Sequence, residues 1–117
     1  MQRNPHTHTG AARVSLDISL SAVRTTTVFD ANFTHNVTPM WKKAGIYDAL
    51  YNSHGMTAAE VLPALRSGLE DMRANRQAYT DLNASNGWGT YAHALPWLEN
   101  LVESFEANPD GIIRVWK

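Results

Sequence analysis

From Val14 to Ser21 the chain alternates Val14, Leu16, Ile18 and Leu20 with Ser15, Asp17, Ser19 and Ser21. Side chains of a strand point to opposite faces in turn, so a period of two with one polar face specifies a half-buried β-strand in an antiparallel sheet with a wet side. Any fold for this chain must place a helical layer or second sheet against that apolar face. Alternation resumes at Thr27, with Thr27, Phe29, Ala31 and Phe33 on one face and Val28, Asp30 and Asn32 on the other. Val23 to Thr26 should turn, although no Gly or Asn-Gly pair marks the place. The two runs read either as a hairpin or as one long strand broken by a bulge.

Between Phe29 and Tyr51 the pattern changes from strand to helix. Thr34 to Thr38 offers several N-caps, and Pro39 suits the first helical turn, where a missing N–H costs nothing. Val37, Met40, Trp41 and Ala44 form an apolar stripe that Gly45 should end by turning left-handed. Ile46 to Tyr51 reads as a further short helix. Thr57-Ala58-Ala59-Glu60 is a capping box for an amphipathic helix carrying Val61, Leu62, Leu65, Leu69 and Met72, bent at Pro63. Asn75 to Leu82 continues as a looser turn. Thr90 is expected to cap a last helix with Tyr91, Leu95, Leu98, Leu101, Val102 and Phe105 inward. Asn108-Pro109-Asp110-Gly111 then turns the chain into a terminal strand at Ile112 to Trp116. The expected fold is α+β, a small antiparallel sheet of two or three strands packed by three or four helices.

The 117 residues suit one domain over 13–117, preceded by a segment, 1–12, with the composition of a disordered terminus. Ten Lys and Arg against eleven Asp and Glu leave no basic tract, which argues against a non-specific nucleic-acid binder. The absence of cysteine removes thiol nucleophiles, disulfides and cysteine-bound zinc, and suits a reducing compartment. With no apolar run long enough to span a bilayer and no signal-type h-region near Met1, a cytoplasmic protein is expected.

Five histidines raise the question of a metal. His6 and His8 alternate in the terminal segment, His54 sits in a loop, and His35 and His93 begin separate helices. None pairs with another at ligand spacing, so no metal and no cofactor are expected. Nucleophile-elbow, phosphate-loop and dinucleotide signatures are lacking too. Asp30 and His35 are the one conceivable acid–base pair, but such residues at a strand-to-helix corner ordinarily satisfy backbone groups. The chain therefore reads as non-enzymatic, with an enzyme using His35 and Asp30 as the last-ranked alternative.

The remaining candidates are polar and aromatic: Asn32, Thr34, His35, Asn36 and Trp41 around the corner, and Asn86, Trp88 and Tyr91 in and after the Gly87-Trp88-Gly89 turn. Should that turn fold against the corner, rings would lie beside amides and imidazole, a mixture suited to a flat heteroaromatic ligand or a partner's loop. Alternatively, Trp88 plugs the core and its glycines let backbone approach closely.

From Val28 onward the chain resembles a family of small, uncharacterised phage, prophage and bacterial proteins. The resemblance rests on Thr34-His35-Asn36, Met40-Trp41, Ala44 to Tyr51 (AGIYDALY), Asn86 to Tyr91 (NGWGTY) and the closing Asn108 to Val115 (NPDGIIRV). It carries over no catalytic residue. Phage carriage, which the resemblance implies, suits an accessory protein that binds and blocks a host defence or regulatory protein. The alternative is an oligomeric protein that sequesters a small nucleotide signal.

Overall fold

The structure, a computed structural model, describes residues 15–22 and 27–117. Val14, the expected disordered segment 1–12 and the expected turn at 23–26 lie outside the described residues. Strands β1 (Ser15–Ser21) and β2 (Thr27–Thr34) form the antiparallel hairpin. Its register runs from Ser15 opposite Thr34 to Leu20 opposite Phe29, then slips so that Ser21 faces Thr27. The hairpin reading holds, with a bulge between Leu20 and Ser21, and the single long strand does not, because the two runs pair side by side.

A turn of 3-10 helix (His35–Val37) leads into α1 (Thr38–Lys43), α2 (Tyr47–Tyr51), α3 (Ala58–Ala74), α4 (Arg76–Thr80) and α5 (Tyr91–Ala107), and β3 (Ile112–Trp116) closes the order. The sheet order is β2-β1-β3, with β3 antiparallel to β1. The fold is α+β as expected, with five α-helices among the described residues in place of three or four because the chain between β2 and α3, and again after α3, breaks into short helices.

Leu16, Ile18 and Leu20 are fully or almost fully buried against the helical layer. Each such burial contributes roughly 1.5–3 kcal/mol. Opposite them, the face expected to be wet is not uniformly so. Ser19 and Ser21 are 8% and 3% exposed, since β1 is central and flanked on both sides. The Arg114 side chain donates from Nε to Ser21 Oγ at 3.1 Å, covering that position from β3.

The helix ends follow local chemistry. Thr34 caps the 3-10 turn by accepting the Asn36 amide at 3.2 Å. Pro39 lies in the first turn of α1, and Gly45, at φ +76°, ends the helix. The Thr57–Glu60 capping box is complete in both directions, and α3 runs on through Pro63. Thr90 differs from expectation: it occupies the N-cap position of α5 without accepting a backbone N–H. The Asn83 side chain takes that work, accepting the Tyr91 amide at 2.8 Å. Helices α3 and α5 pack together and are tied at the rim by Arg66–Glu106 and Arg73–Glu99, each 2.8 Å. Both pairs are well exposed and contribute at most about 1 kcal/mol each.

Candidate functional site

The site begins with a backbone contact. A Cβ built on Gly89 would lie 2.8 Å from Val37 Cγ1, 2.9 Å from Thr34 Cγ2 and 3.3 Å from Asn36 Cβ. The turn therefore sits hard against the Thr34–Asn36 corner through a residue that has no side chain to intrude. Gly87 and Gly89 take φ of +78° and +94°, a region that L side chains rarely adopt, and the indole between them swings outward. Trp88 is 70% exposed. The core-plug alternative is overturned: the glycine backbone fills the corner, and the indole is left on the surface.

The turn is built by its own hydrogen bonds. Asn86 Oδ1 accepts the Trp88 amide at 2.9 Å, and Ala84 O accepts the Gly87 amide at 3.1 Å. On the opposite wall, Asn32 Nδ2 donates to Ser15 Oγ at 3.0 Å and to Asp17 Oδ1 at 2.7 Å, fixing which end of that amide faces the sheet. Between turn and corner lies an open concavity of about 960 Å³, in which Asn32, Phe33, Thr34, Asn36, Asn86 and Trp88 meet Ser15 and His93. Among the described residues no Lys, Arg, Asp or Glu lines it.

Of the expected site residues, Asn32, Thr34, Asn36, Asn86 and Trp88 come together here. Three do not. Trp41 is completely buried and packs behind Phe33, with ring centroids 6.3 Å apart. Tyr91 is 6% exposed and spends its hydroxyl on Met72 O at 2.8 Å. Helical periodicity placed both in apolar stripes, and the stripes were the better guide. His35 instead meets α2, its Nδ1 lying 2.7 Å from the Tyr51 hydroxyl, with the rings 5.4 Å apart. Burial, aided by Tyr47, raises the Tyr51 pKa well above the ordinary phenol value, so Tyr51 stays protonated beside the imidazole. Asp30 stands elsewhere, on the outer sheet face with Asp17, Ser19 and Trp116, so the fold places the two members of the conceivable acid–base pair in different surroundings.

Two contributors were not marked as site residues by the sequence. Phe33 belongs to the apolar face of β2, yet β2 is an edge strand and its ring borders the concavity. Trp97 stacks on it at 5.4 Å and 28°, and donates from Nε1 to Asn32 O at 3.0 Å, so an aromatic layer stiffens the floor. His93 is the other. Its Nδ1 lies 3.1 Å from Thr90 Oγ1, so the Thr90 side chain meets the imidazole where a cap would meet the backbone. The signal was present as spacing: Thr90 and His93 stand where a capping box has its Thr and Glu, so the third side chain of α5 folds back over the turn.

Among the described residues no cluster of three His, Asp or Glu side chains is placed to hold a metal, and no helix is long and apolar enough to cross a membrane. Among the described residues the concavity is an amide-rimmed surface with one large exposed ring and no carboxylate, ammonium or guanidinium side chain in its lining. Comparison with known proteins adds no identity to it, since no family model, no curated protein and no solved structure matches the chain.

Proposed function

We propose that this protein is a non-enzymatic binding module that docks an uncharged loop of a partner protein in the concavity between Asn36 and Trp88. The observation that carries the reading is the 70% exposure of Trp88 on a turn held by its own hydrogen bonds and by the Gly89 contact. An exposed, pre-positioned indole is the kind of side chain that dominates protein interfaces, because it brings large contact area at little ordering cost. The phage or prophage relatives that the sequence resembles extend the proposal to a host defence or regulatory protein as the target. The test is a capture experiment from the native host with wild-type and Trp88→Ala protein. Loss of a specific partner with an unchanged, cooperative melt supports the reading; undiminished capture by Trp88→Ala defeats it.

A second reading, sequestration of a small ligand, is supported by the volume of about 960 Å³, near the upper end of small-molecule sites. A second copy of the chain closing the open side would improve the enclosure. Among the described residues no Lys or Arg lines the concavity, which weighs against holding a nucleotide by its phosphates and favours contact through the base end. A nucleotide panel that leaves the melting temperature unmoved at saturating concentration would end this alternative.

A further inference from the structure

We propose that two copies of this chain pair through the outer edge of β2, antiparallel about a two-fold axis at Ala31, joining two three-stranded sheets into one. The side to which each residue of β2 presents its backbone follows from the rest of the sheet. On β3, the Ile113 amide donates to Met56 O, Ile113 O accepts the Gly55 amide, and the Val115 amide donates to His54 Nδ1, so both residues turn their backbone groups away from β1. Their partners on β1, Leu20 and Ile18, therefore bond on the other side, to Phe29 and Ala31 of β2. Alternation then points the backbone of Asp30 and Asn32 outward, as the bond from Trp97 Nε1 to Asn32 O shows independently.

The two edges of the sheet are thus finished differently. Along β3 the loop before α3 takes up the outward groups. Between Phe29 and Phe33 only the Asn32 carbonyl is met, by Trp97, and it keeps a second lone pair. Among the described residues nothing accepts from the Asp30 and Asn32 amides or donates to Asp30 O. The strand also carries neither proline nor lysine to repel a neighbour.

An open edge can take many strands, and the side chains here select a second copy. Phe29-Asp30-Ala31-Asn32-Phe33 reads the same way from either end, with Asn in the place of Asp. Across a two-fold at Ala31, Phe29 stands opposite Phe33 of the second copy and Asp30 opposite its Asn32, each pair formed twice. Asp30 and Asn32 then exchange both backbone bonds, and the small Ala31 occupies the axis in a non-hydrogen-bonded pair, where Cα atoms approach to about 4.5 Å. The apolar faces of both copies stay on one side, and aromatic pairs meet across the strands. Moving the axis to Asp30 would set two carboxylates face to face. Moving it to Asn32 would leave Phe33 opposite alanine, and a slip of one residue in the pairing would set apolar face against polar face.

The experiment follows the full chain by sedimentation from about 1 μM to about 1 mM. A monomer–dimer equilibrium is expected, with amide exchange at Asp30 and Asn32 slowing as concentration rises, because those N–H groups find acceptors only in the dimer. Asp30→Pro removes an outward N–H that the single chain does not use, twice per dimer, and should weaken association at least about tenfold while the chain still folds. Since the sequence has no cysteine, single introduced cysteines read the register. Ala31→Cys should link two copies under oxidised glutathione faster than Asp30→Cys or Asn32→Cys. A monomer throughout would overturn the proposal. So would a dimer in which the Asp30 and Asn32 amides exchange at a rate independent of concentration, one that a folded Asp30→Pro leaves intact, or faster linkage at 30 or 32. If Asp30→Pro fails to fold, exchange and linkage decide the matter.

Discussion

At the scale of single residues, the turn around Trp88 separates two kinds of contribution that look alike in sequence. Trp88 lies outside the core, so Trp88→Ala should move stability by no more than about 0.5 kcal/mol, checked by denaturant midpoint. Gly89→Ala should behave in the opposite way. Its Cβ would overlap Val37 and Thr34 and its φ of +94° is strained for alanine. A loss of roughly 2–4 kcal/mol is expected, with the turn displaced from the corner. Gly87→Ala is the control: the φ is equally unfavourable, but nothing lies within 4 Å. It should cost only about 1–2 kcal/mol. The meeting of the Asn32–Asn36 corner with the Asn86–Trp88 turn was legible from residue types. Whether the indole or the glycine filled the contact was not, because a ring between two glycines has the same spelling in both cases. Trp41 and Tyr91 show the reverse error, in which a polar tip on an aromatic ring suggested function while the periodicity already declared a core position.

At the scale of elements, the strands and long helices were readable because one periodic signal governs each. β1 alternates strictly and buries its apolar half; α3 and α5 carry stripes that meet along their length. The short pieces were harder, since a helix of five or six residues has hardly more than one turn of pattern. Gly68, in the middle of α3, carries no sequence signal of its importance, yet a Cβ there would overlap Ile46 Cγ2 and sit 2.9 Å from Ala44 O. The close approach of α3 to the segment between α1 and α2 depends on that missing atom. Gly68→Ala gains helix propensity of about 1 kcal/mol, but overpacking costs about 1–3 kcal/mol and meets backbone here, so a net drop in melting temperature is expected. The start of α3 makes a different prediction. The Thr57 amide, and then the Thr57 hydroxyl, lower the Glu60 pKa below its ordinary value of 4.5. A carboxylate lowered on folding adds stability above its unfolded pKa and loses it as pH falls through the folded one. Stability should therefore decline with acid below about pH 4.5, and Glu60→Gln should flatten part of that decline in a series of melts.

At the scale of the whole molecule, the two ends of the described chain meet in one sheet. β1 opens the fold and β3 closes it, side by side, with Ile113 opposite Leu20. β3 also holds the loop before α3: the Gly55 amide donates to Ile113 O, and the Ile113 amide donates to Met56 O, both at 2.8 Å. The sheet and the loop that opens α3 are thus tied together, so unfolding should be one cooperative event. Alkali offers a way to test this, because the groups that respond sit far apart. Tyr79, wholly buried, is raised above the ordinary phenol value of 10.0, first by burial and then by its hydrogen bond to the Asp71 carboxylate. Tyr51, beside His35, is raised chiefly by burial. An acid that holds its proton more tightly when folded adds nothing pH-dependent while both states are protonated. Once pH passes the unfolded value, the unfolded chain ionises first and stability falls. The melting temperature should accordingly hold below about pH 10 and drop above it. Tyr79→Phe should lose part of that drop while Tyr51 keeps the remainder, and the circular-dichroism and phenolate-absorbance transitions of each variant should coincide. Separate transitions would mean that the α3–α4 end and the α2 end come apart independently, and that the sheet does not couple them.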